Sequence, residues 1–466
     1  MVAPTDSKIE LPRRDSAGET CMNVLVLEDG NYSASLSAVR ALGRLGHRVT
    51  VASTFETAAG ESRWCDNFVF SPSPRDADRY LDFLGACCRD GAYDVALVCD
   101  DSVTAVVSSA RDALNARPDF LLAPPESVEI ARNKASAQRF AASLGVPTPV
   151  TITLGEGADL EAASRLGFPL VVKDDMGSGG THVRYAADAP ALRRAYEEVI
   201  ALRPIGRPMA QEYIPGSGYL TQVLYDHGRL VAICSHRKHR QYPPAGGVTS
   251  KGVTVDEAEL DAQAERIFTA LKWHGPAKAD FKRDPRDGRF KLMELDPRLS
   301  TTLEIAEAAG VNMIELCCRM AAGQRVDPQL AYRKGVAVRY VTRDLLCLAV
   351  CPELLPHILI DAIDPRVRSD FDAQDMPGNR GLARRGIWHF EHLWRSGRLG
   401  AALEASPERL TLQARMRHAL GRSSSTLMAG GVLASRAVYR RLKRRRGATY
   451  RVRGAVDRAS REATRP

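Results

Sequence analysis

Apolar runs of strand length alternate with a helical spacing of apolar residues along the first 125 residues of the chain. Short runs rich in Val, Leu and Ile have the length of buried strands, and a stretch with helical spacing from residue 34 to 45 ends at Gly46. The apolar runs occupy residues 22–27, 49–52, 67–70 and 94–99. Strands that alternate with helices over short links predict a parallel sheet with helices on both faces.

Acidic residues follow the fourth apolar run. Asp100 and Asp101 come directly after it, at the edge where open α/β sheets bind their ligands. A loop of solvated acids explains the same residues equally well. The first turn of this region has one glycine and no GxGxxG pattern, so a dinucleotide site here is poorly supported.

The pattern changes after residue 126. Helical spacing predicts one helix over Val128 to Leu144, which Gly145 and Pro147 end. Several apolar strands follow, and a glycine turn between two of them predicts an antiparallel sheet. These strands are expected at residues 168–173, 183–185, 209–214, 220–225 and 230–235. Beyond residue 330 the pattern predicts only one strand and one short helix, at residues 336–340 and 344–350.

The predicted fold class is therefore α/β plus α+β, with five segments along the chain. The segments are a disordered leader (1–21), an N-terminal α/β domain (22–125), a central α+β domain (126–330) with a subdomain at about 150–212, a C-terminal extension (331–425) and a basic tail (426–466).

The most informative chemical pattern is a charged hairpin, GPAKADFKRDPRDGRFKLMELDPR, at residues 275–298. Strand pairing brings Asp280 near Glu294, and Asp296 points to the same face as Glu294 because strand side chains alternate. Three carboxylates on one face repel one another unless a cation lies among them, and oxygen ligands of this kind suit Mg²⁺ or Mn²⁺ that bridges phosphates. Arg298 follows on that face, and its guanidinium can hold a phosphoryl group. A solvated charged hairpin is the competing interpretation.

A second pattern joins a buried strand to a glycine-rich loop. The sequence FPLVVKDDMGSGGT at residues 168–181 contains Lys173 near the end of the strand. The loop offers backbone N–H groups that can close over phosphates, although no GK[ST] marks it as a Walker A loop. A flexible glycine hairpin explains the loop without any ligand.

In their order along the chain, these patterns resemble the ATP-grasp superfamily, to which biotin carboxylase, carbamoyl-phosphate synthetase and D-alanine–D-alanine ligase belong. The resemblance runs from about Asn23 to Cys318. It comprises Lys134 in a helix before Gly145-Val146-Pro147, the strand with its glycine loop, the segment 211–216 and the charged hairpin. It implies a pre-ATP-grasp domain at the N-terminus, followed by a two-subdomain ATP-grasp fold in which residues 150–212 form a lid.

The resemblance also implies a role for each matching residue. Lys134 and Lys173 would contact the phosphates of ATP, and Arg298 would stabilise the transferred phosphoryl group. The mobile lid over the phosphates would be Met176, Gly177, Ser178, Gly179, Gly180 and Thr181. Adenine would be held by Gln211 and the backbone of Ile214, with Glu212 and Tyr213 on the same strand. One or two Mg²⁺ would be held by Asp280, Glu294 and Asp296.

Two residues depart from the family pattern, and one segment extends it. Asp174 stands where many relatives have Pro, and Asp296 stands where most have Asn, although an Asp still binds Mg²⁺ and adds charge. The basic segment 236–250 resembles one that lines the acceptor pocket in carboxylate-ligating relatives. Arg240 is its best candidate for binding an anionic substrate, and with Lys173 and Arg298 it completes the predicted catalytic set. A solvated basic loop is the alternative for this segment.

The charge distribution adds a basic tail to this picture. The chain carries a net charge of +9, but residues 436–466 hold twelve Lys/Arg against two acids, so the remainder is nearly neutral. Three interpretations stay open for the tail: a disordered or frayed helical end, an anionic membrane surface as partner, or nucleic-acid binding. The last is disfavoured because no base-reading motif accompanies the charge.

The sequence thus predicts an ADP-forming carboxylate–amine ligase with ATP and Mg²⁺ as cofactors and small molecules as substrates. A bicarbonate-activating carboxylase or carbamoyl-phosphate-type enzyme is the lower-ranked alternative, and a non-catalytic ATP-binding regulatory module is the third. Ten cysteines without a CxxC pair and a polar N-terminus favour reduced thiols and the cytoplasm. Oligomeric state is open, with a homodimer as the expectation from the family.

Overall fold

The computed structural model describes residues 21–395 except 31, 90–91, 111–113, 115–117, 156–157, 177–182 and 244–245. Three sheets organise these residues. Most of the expected leader and all of the expected basic tail lie outside the described residues. None of the helices in the described part combines the length and the apolar character that a bilayer-spanning segment requires.

The first sheet is parallel throughout, as its alternating pattern predicts. Its strands have the order β3-β2-β1-β4. They are β1 (Asn23–Leu27), β2 (Arg48–Ser53), β3 (Asn67–Phe70) and β4 (Val95–Val98). The helices of this region are α1 (Tyr32–Arg44), α2 (Ala58–Glu61), α3 (Ala77–Arg89) and α4 (Asp101–Ala110). The carboxyl ends of β1 and β4 are adjacent, because these two strands pair directly.

The prediction of one helix from residue 128 to 144 is wrong, because the segment forms two helices. Helix α5 (Pro125–Arg132) and helix α6 (Lys134–Ser143) meet at Asn133, whose backbone is extended. The side chain of Asn133 accepts a hydrogen bond of 2.9 Å from the N–H of Ser136 and caps α6. Lys134 consequently begins a helix instead of lying inside one.

The second sheet is a four-stranded antiparallel sheet with the order β5-β8-β6-β7. Its strands are β5 (Thr151–Thr153), β6 (Leu170–Asp174), β7 (Arg184–Ala186) and β8 (Pro208–Glu212). Helices α7 (Ala158–Ser164) and α8 (Ala189–Ala201) pack against it and enclose a small core of their own, which includes Leu170 and Leu192. We call residues 150–212 the lid subdomain.

The third sheet has seven strands in the order β13-β12-β9-β10-β11-β14-β15. Its first five strands in chain order are β9 (Gly218–Asp226), β10 (Arg229–Tyr242), β11 (Val248–Thr254), β12 (Gly275–Arg283) and β13 (Phe290–Asp296). The helices that follow β11 and β13 are α9 (Ala258–Ala270), α10 (Leu303–Ala309) and α11 (Met313–Ala321). Core residues of α1 and β1 pack in one cluster with residues of β10 and α11, so the N-terminal sheet and the large sheet share a hydrophobic core.

The basic segment after residue 235 is mostly strand. Strand β10 continues to Tyr242 and pairs with β11, so the solvated-loop interpretation is wrong for residues 236–242. His236 and Arg240 are buried on this strand, and burial lowers the pKa of His236 to about 3. The pairing is irregular between Lys238 and Arg240, which explains why a plain two-residue alternation is hard to recognise in the sequence.

The C-terminal extension completes the large sheet. Strands β14 (Ala337–Arg339) and β15 (Val367–Ser369) add to its edge, and the helices of the extension are α12 (Val341–Val350), α13 (Leu355–Ile363) and α14 (Met376–Arg395). From α12, the buried guanidinium of Arg343 donates to Ser33 Oγ at 2.7 Å and to the backbone oxygen of Thr249 at 2.8 Å. From α1, Arg40 donates to Asp375 Oδ2 at 2.8 Å. The extension is therefore tied to both the N-terminal domain and the large sheet.

Candidate functional site

A cleft opens between the lid subdomain and the large sheet. Its empty space, including the mouth that is open to solvent, is about 1180 Å³. Strand β6 contributes Lys173, β8 contributes Gln211 and the hairpin of β12 and β13 contributes Asp280 and Glu294. Two predicted sets of residues, from distant parts of the chain, thus line the same cavity.

The predicted convergence of three carboxylates is confirmed. In the antiparallel pair of β12 and β13, Asp280 lies opposite Glu294, and Lys278 lies opposite Asp296. One carboxylate oxygen each from Asp280, Glu294 and Asp296 lies within 4.8 Å of the others. We call these three residues the acidic cluster. Its all-oxygen donor set and spacing fit a hard divalent cation.

Lysine side chains contact the acidic cluster, and these contacts are not among those predicted from the sequence. The ammonium of Lys278 lies 2.5 Å from Asp280 Oδ2 and also contacts Asp296 Oδ2. Lys238 of β10 contacts the second oxygen of Asp280, and Lys134 Nζ lies 3.7 Å from Glu294 Oε2. Each carboxylate of the cluster therefore has a cationic neighbour.

These contacts decide the protonation of the buried groups. Burial by itself would raise the pKa of Asp280, but Lys238 and Lys278 outweigh it and hold the pKa well below its ordinary value. Burial by itself would lower the pKa of Lys278, but Asp280 and Asp296 raise it above its ordinary value. Asp280 is thus an anion and Lys278 a cation at neutral pH.

Arg298 lies beside the acidic cluster and is held from the N-terminal domain. Its guanidinium donates to both oxygens of Asp101, at 2.7 and 3.1 Å, and to Asp296 Oδ2 at 3.4 Å. The acids after β4 are therefore not merely solvated, because Asp101 fixes Arg298. Neighbouring carboxylates raise the pKa of Arg298 against the effect of burial.

The two predicted phosphate-binding lysines, Lys134 of α6 and Lys173 of β6, both line the cleft. Burial, followed by the nearby charge of Lys134, lowers the pKa of Lys173 to about 8. The acidic side chain after Lys173 stabilises the backbone of the lid subdomain. Asp174 accepts hydrogen bonds from the N–H groups of Ile205 and Gly206, at 2.8 and 3.0 Å. The departure from the family pattern at Asp174 is thus explained by this local role. Met176 is described, whereas Gly177, Ser178, Gly179, Gly180 and Thr181 lie outside the described residues.

Aromatic residues also line the cleft. Tyr185 and Tyr213 contact it, with their rings edge to face at 5.9 Å between centroids. The amide nitrogen of Gln211 donates to Gln138 Oε1 at 3.0 Å, while its buried carbonyl oxygen has no hydrogen-bond partner among the described residues. An orphaned buried acceptor in a cavity wall suits a donor group of a ligand.

Cationic side chains contact two other residues that were predicted for the adenine site. The backbone oxygen of Ile214 accepts from Lys282 Nζ at 2.7 Å. Glu212 pairs with Arg286 at 2.5 Å and lies 3.8 Å from Lys291. Both residues line the cleft, but the carbonyl oxygen of Ile214 and the carboxylate of Glu212 already have partners within the protein.

Arg240 is not brought to the cleft. Its guanidinium pairs with Asp344 at 2.7 Å and with Asp361 at 3.0 Å, both from the C-terminal extension. Lys251 joins the same buried group through Asp361 at 2.5 Å. The structure therefore places Arg240 in the contact between the large sheet and the extension, where two carboxylates already satisfy its charge.

A second group of potential metal ligands lies at the turn after β9 and consists of Asp226, His227 and His274. The two imidazole rings are stacked 4.0 Å apart, with 9° between their planes. Parallel rings cannot both hold one metal ion in their planes. His274 Nδ1 instead accepts from the N–H of His227 at 3.2 Å and stabilises the turn.

A family model matches the part of the chain that contains the hairpin of β12 and β13. A family model described as "ATP-grasp in the biosynthetic pathway with Ter operon" matches residues 207–344. The carbamoyl phosphate synthase large chain of Thermus thermophilus is 25% identical over 222 residues, which are 45% of this chain and 21% of that relative. The chain spans about a fifth of the length of the first curated relatives it matches.

Solved structures share the fold. The biotin carboxylase domain of Hydrogenobacter thermophilus 2-oxoglutarate carboxylase, solved with MgADP and bicarbonate, matches with a TM-score of 0.56 and 16% identity over 69% of this chain and 74% of that one. The L-amino acid ligase of Bacillus licheniformis matches with a TM-score of 0.53 and 20% identity over 66% of this chain and 75% of that one. These matches support the ATP-grasp superfamily as the family of this chain. The hairpin of β12 and β13, which lines the cleft, lies within the residues that the family model matches.

Some further residues of the cleft could have been found from the sequence. Lys278, Asp280 and Lys282 are two residues apart on one strand, so the alternation that groups Asp280 with Glu294 also puts these lysines on the same face. The contacts of Lys238 with Asp280 and of Asp101 with Arg298 join distant segments, so no local sequence pattern predicts them.

Proposed function

We propose that the cleft binds ATP with Mg²⁺ and uses it to activate a carboxylate for attack by an amine, with release of ADP and phosphate. The observation that carries the proposal is the convergence of Asp280, Glu294 and Asp296 beside a cleft that Lys134 and Lys173 line. The carboxylates and lysines suit the phosphates of ATP with a divalent cation, and the orphaned oxygen of Gln211 suits an adenine amino group.

The residues support a two-step transfer. Lys134 and Lys173 would hold the phosphates by charge, while Arg298, fixed by Asp101, would stabilise charge on the group in transit. Mg²⁺ at the acidic cluster would neutralise phosphate charge and orient the phosphoryl group. Transfer of the γ-phosphoryl group to a substrate carboxylate gives an acyl phosphate and ADP. An amine then attacks the acyl carbon, phosphate leaves, and the amine loses a proton.

The identity of the carboxylate that accepts the phosphoryl group stays open, because two kinds of relative point to different substrates. The L-amino acid ligase favours an amino acid as carboxylate, whereas the biotin carboxylase domain, whose solved structure contains bicarbonate, favours the alternative of bicarbonate activation. The family description of a biosynthetic pathway agrees with a ligase that makes a small molecule. The same biotin carboxylase domain is a dimer, and we extend a homodimer to this chain as a proposal that light scattering of the purified protein can test.

An ADP-release screen tests the proposal. Purified full-length protein is incubated with ATP, Mg²⁺ and pairs of carboxylates and amines, amino acids first, with bicarbonate as a separate arm. We expect ADP release to require one carboxylate and to rise further with one amine, and mass spectrometry to identify the amide. Release that needs bicarbonate instead would move the assignment to the carboxylase class. No nucleotide binding by calorimetry would reject both enzyme functions.

Nucleotide affinity is expected to fall as pH rises above about 8. Because the pKa of Lys173 is lowered to about 8 in the free protein, the ammonium is present below that pH and is lost above it. Binding of phosphates then has to take up a proton, so affinity should approach a tenfold loss per pH unit. The measurement is the dissociation constant of ADP between pH 7 and 9.5.

The matched variant for this pH profile is Lys173→Arg, whose guanidinium stays charged throughout that range. Its affinity should be flat with pH, and circular dichroism at pH 9.5 checks that both proteins remain folded. An equal decline in both proteins would show that another group controls the pH dependence.

A further inference from the structure

The acidic cluster already contains the counter-charges that a metal ion would supply. Lys278 contacts both Asp280 and Asp296, and Lys238 contacts the remaining oxygen of Asp280. Lys278 and Asp280 are more than nine-tenths buried, so their charges are poorly screened by solvent. With Lys134 3.7 Å from Glu294, the cluster offers little net negative charge to a free divalent cation.

Geometry leads to the same result. Lys278 and Asp296 are directly opposite on paired strands, and Asp280 is two residues from Lys278 on the same face. The ammonium of Lys278 therefore occupies the space between two of the three carboxylates. Mg²⁺ bridging the same oxygens needs contacts of about 2.0–2.1 Å from its own central position. The ammonium and the ion cannot occupy that position together.

We propose that Lys278 is a resident counter-ion of the acidic cluster, so that the nucleotide-free protein excludes divalent cations and binds one only when nucleotide phosphates accompany it. The phosphates bring negative charge that Lys278, Lys238 and Lys134 can pair with, and this frees carboxylate oxygens for the ion. The nucleotide-dependent half of this inference rests on the proposed function, whereas the exclusion of free cations does not.

The test is a titration of nucleotide-free, full-length protein with Mn²⁺, followed by electron paramagnetic resonance of the unbound ion. We expect the wild-type protein to bind Mn²⁺ only weakly at the cluster. Lys278→Met should bind Mn²⁺ at least tenfold more tightly, and Asp296→Asn in that background should remove the gain. The matched control is Lys251→Met, which removes a similarly buried lysine paired with Asp361 instead of with the cluster, and it should leave Mn²⁺ binding unchanged.

Wild-type protein alone can overturn the inference, even if Lys278→Met does not fold. Tight Mn²⁺ binding by the nucleotide-free wild type that Asp296→Asn abolishes would show that Lys278 does not exclude the ion. A folded Lys278→Met variant without any gain in Mn²⁺ affinity would equally show that Lys278 does not exclude it.

In a second arm, the non-hydrolysable analogue AMP-PNP should raise the affinity of the wild type for Mn²⁺. Failure of AMP-PNP itself to bind would reject the proposed function, while the nucleotide-free arm still decides the role of Lys278.

Discussion

Replacing Glu294 by Gln is expected to lower the rate of ADP formation by about 10²–10³-fold, the range found when one preorganised electrostatic group is removed from an active site. The amide keeps the size of the side chain but removes one anionic ligand from the acidic cluster. The fold should persist, because the side chain of Glu294 is one-third exposed (33%) and its contact with Lys134 is as long as 3.7 Å. The measurement is ADP release with the substrate pair found in the screen.

The control for this substitution is Glu257→Gln, which makes the same chemical change at an ion pair with the exposed Arg283, outside the residues that line the cleft. It should retain wild-type turnover, and thermal unfolding should be unchanged in both variants. Full turnover by Glu294→Gln would refute the assignment of the acidic cluster to metal binding, and with it the orientation we give to the nucleotide.

Replacing Arg40 by Ala is expected to lower the free energy of unfolding by about 3–5 kcal/mol, because it leaves a buried carboxylate without its counter-ion. Arg40 donates to Asp375, to the backbone oxygen of Asp370 and to Asn379, each at 2.8 Å. Asp375 is fully buried and fixes the start of α14 against the N-terminal domain. The measurement is urea unfolding followed by tryptophan fluorescence.

Arg44→Ala is the comparison for this effect. Arg44 lies one turn further along α1, pairs with Asp372 at 2.6 Å and has a side chain that is 38% exposed. Solvent screening limits such a pair to less than about 1 kcal/mol. If Arg40→Ala and Arg44→Ala lower the stability equally, burial of the Arg40 pair contributes nothing and the extension is not anchored there.

Local patterns predicted most of the strands and the chemistry of the hairpin. The runs around β1, β2 and β4 and the pairing of Asp280 with Glu294 are determined by nearby residues: apolar alternation, a turn, and a register fixed by that turn. The error at Asn133 has the same local origin, since a capping side chain competes with the helix around it and overrides the apolar spacing.

Residues of the site that depend on distant partners could not be predicted in this way. Arg240 and Arg298 both have charged neighbours in the sequence. Arg240 pairs with Asp344 and Asp361, whereas Arg298 pairs with Asp101 beside the acidic cluster. Each of those carboxylates is more than 100 residues away. Tertiary packing thus decides which arginine lies beside the acidic cluster and which lies in the contact with the extension.

The division of the hydrophobic cores has a consequence for how the cleft admits its ligand. The N-terminal sheet and the large sheet are joined through one core that includes Val26, Leu42 and Ala232, so they form a fixed wall. The four-stranded sheet has a separate core around Leu170 and Leu192, and Arg286 of the β12–β13 turn forms a polar contact with its Glu212. A change in the angle between the lid subdomain and the large sheet would therefore leave both hydrophobic cores intact and keep the three acids in register.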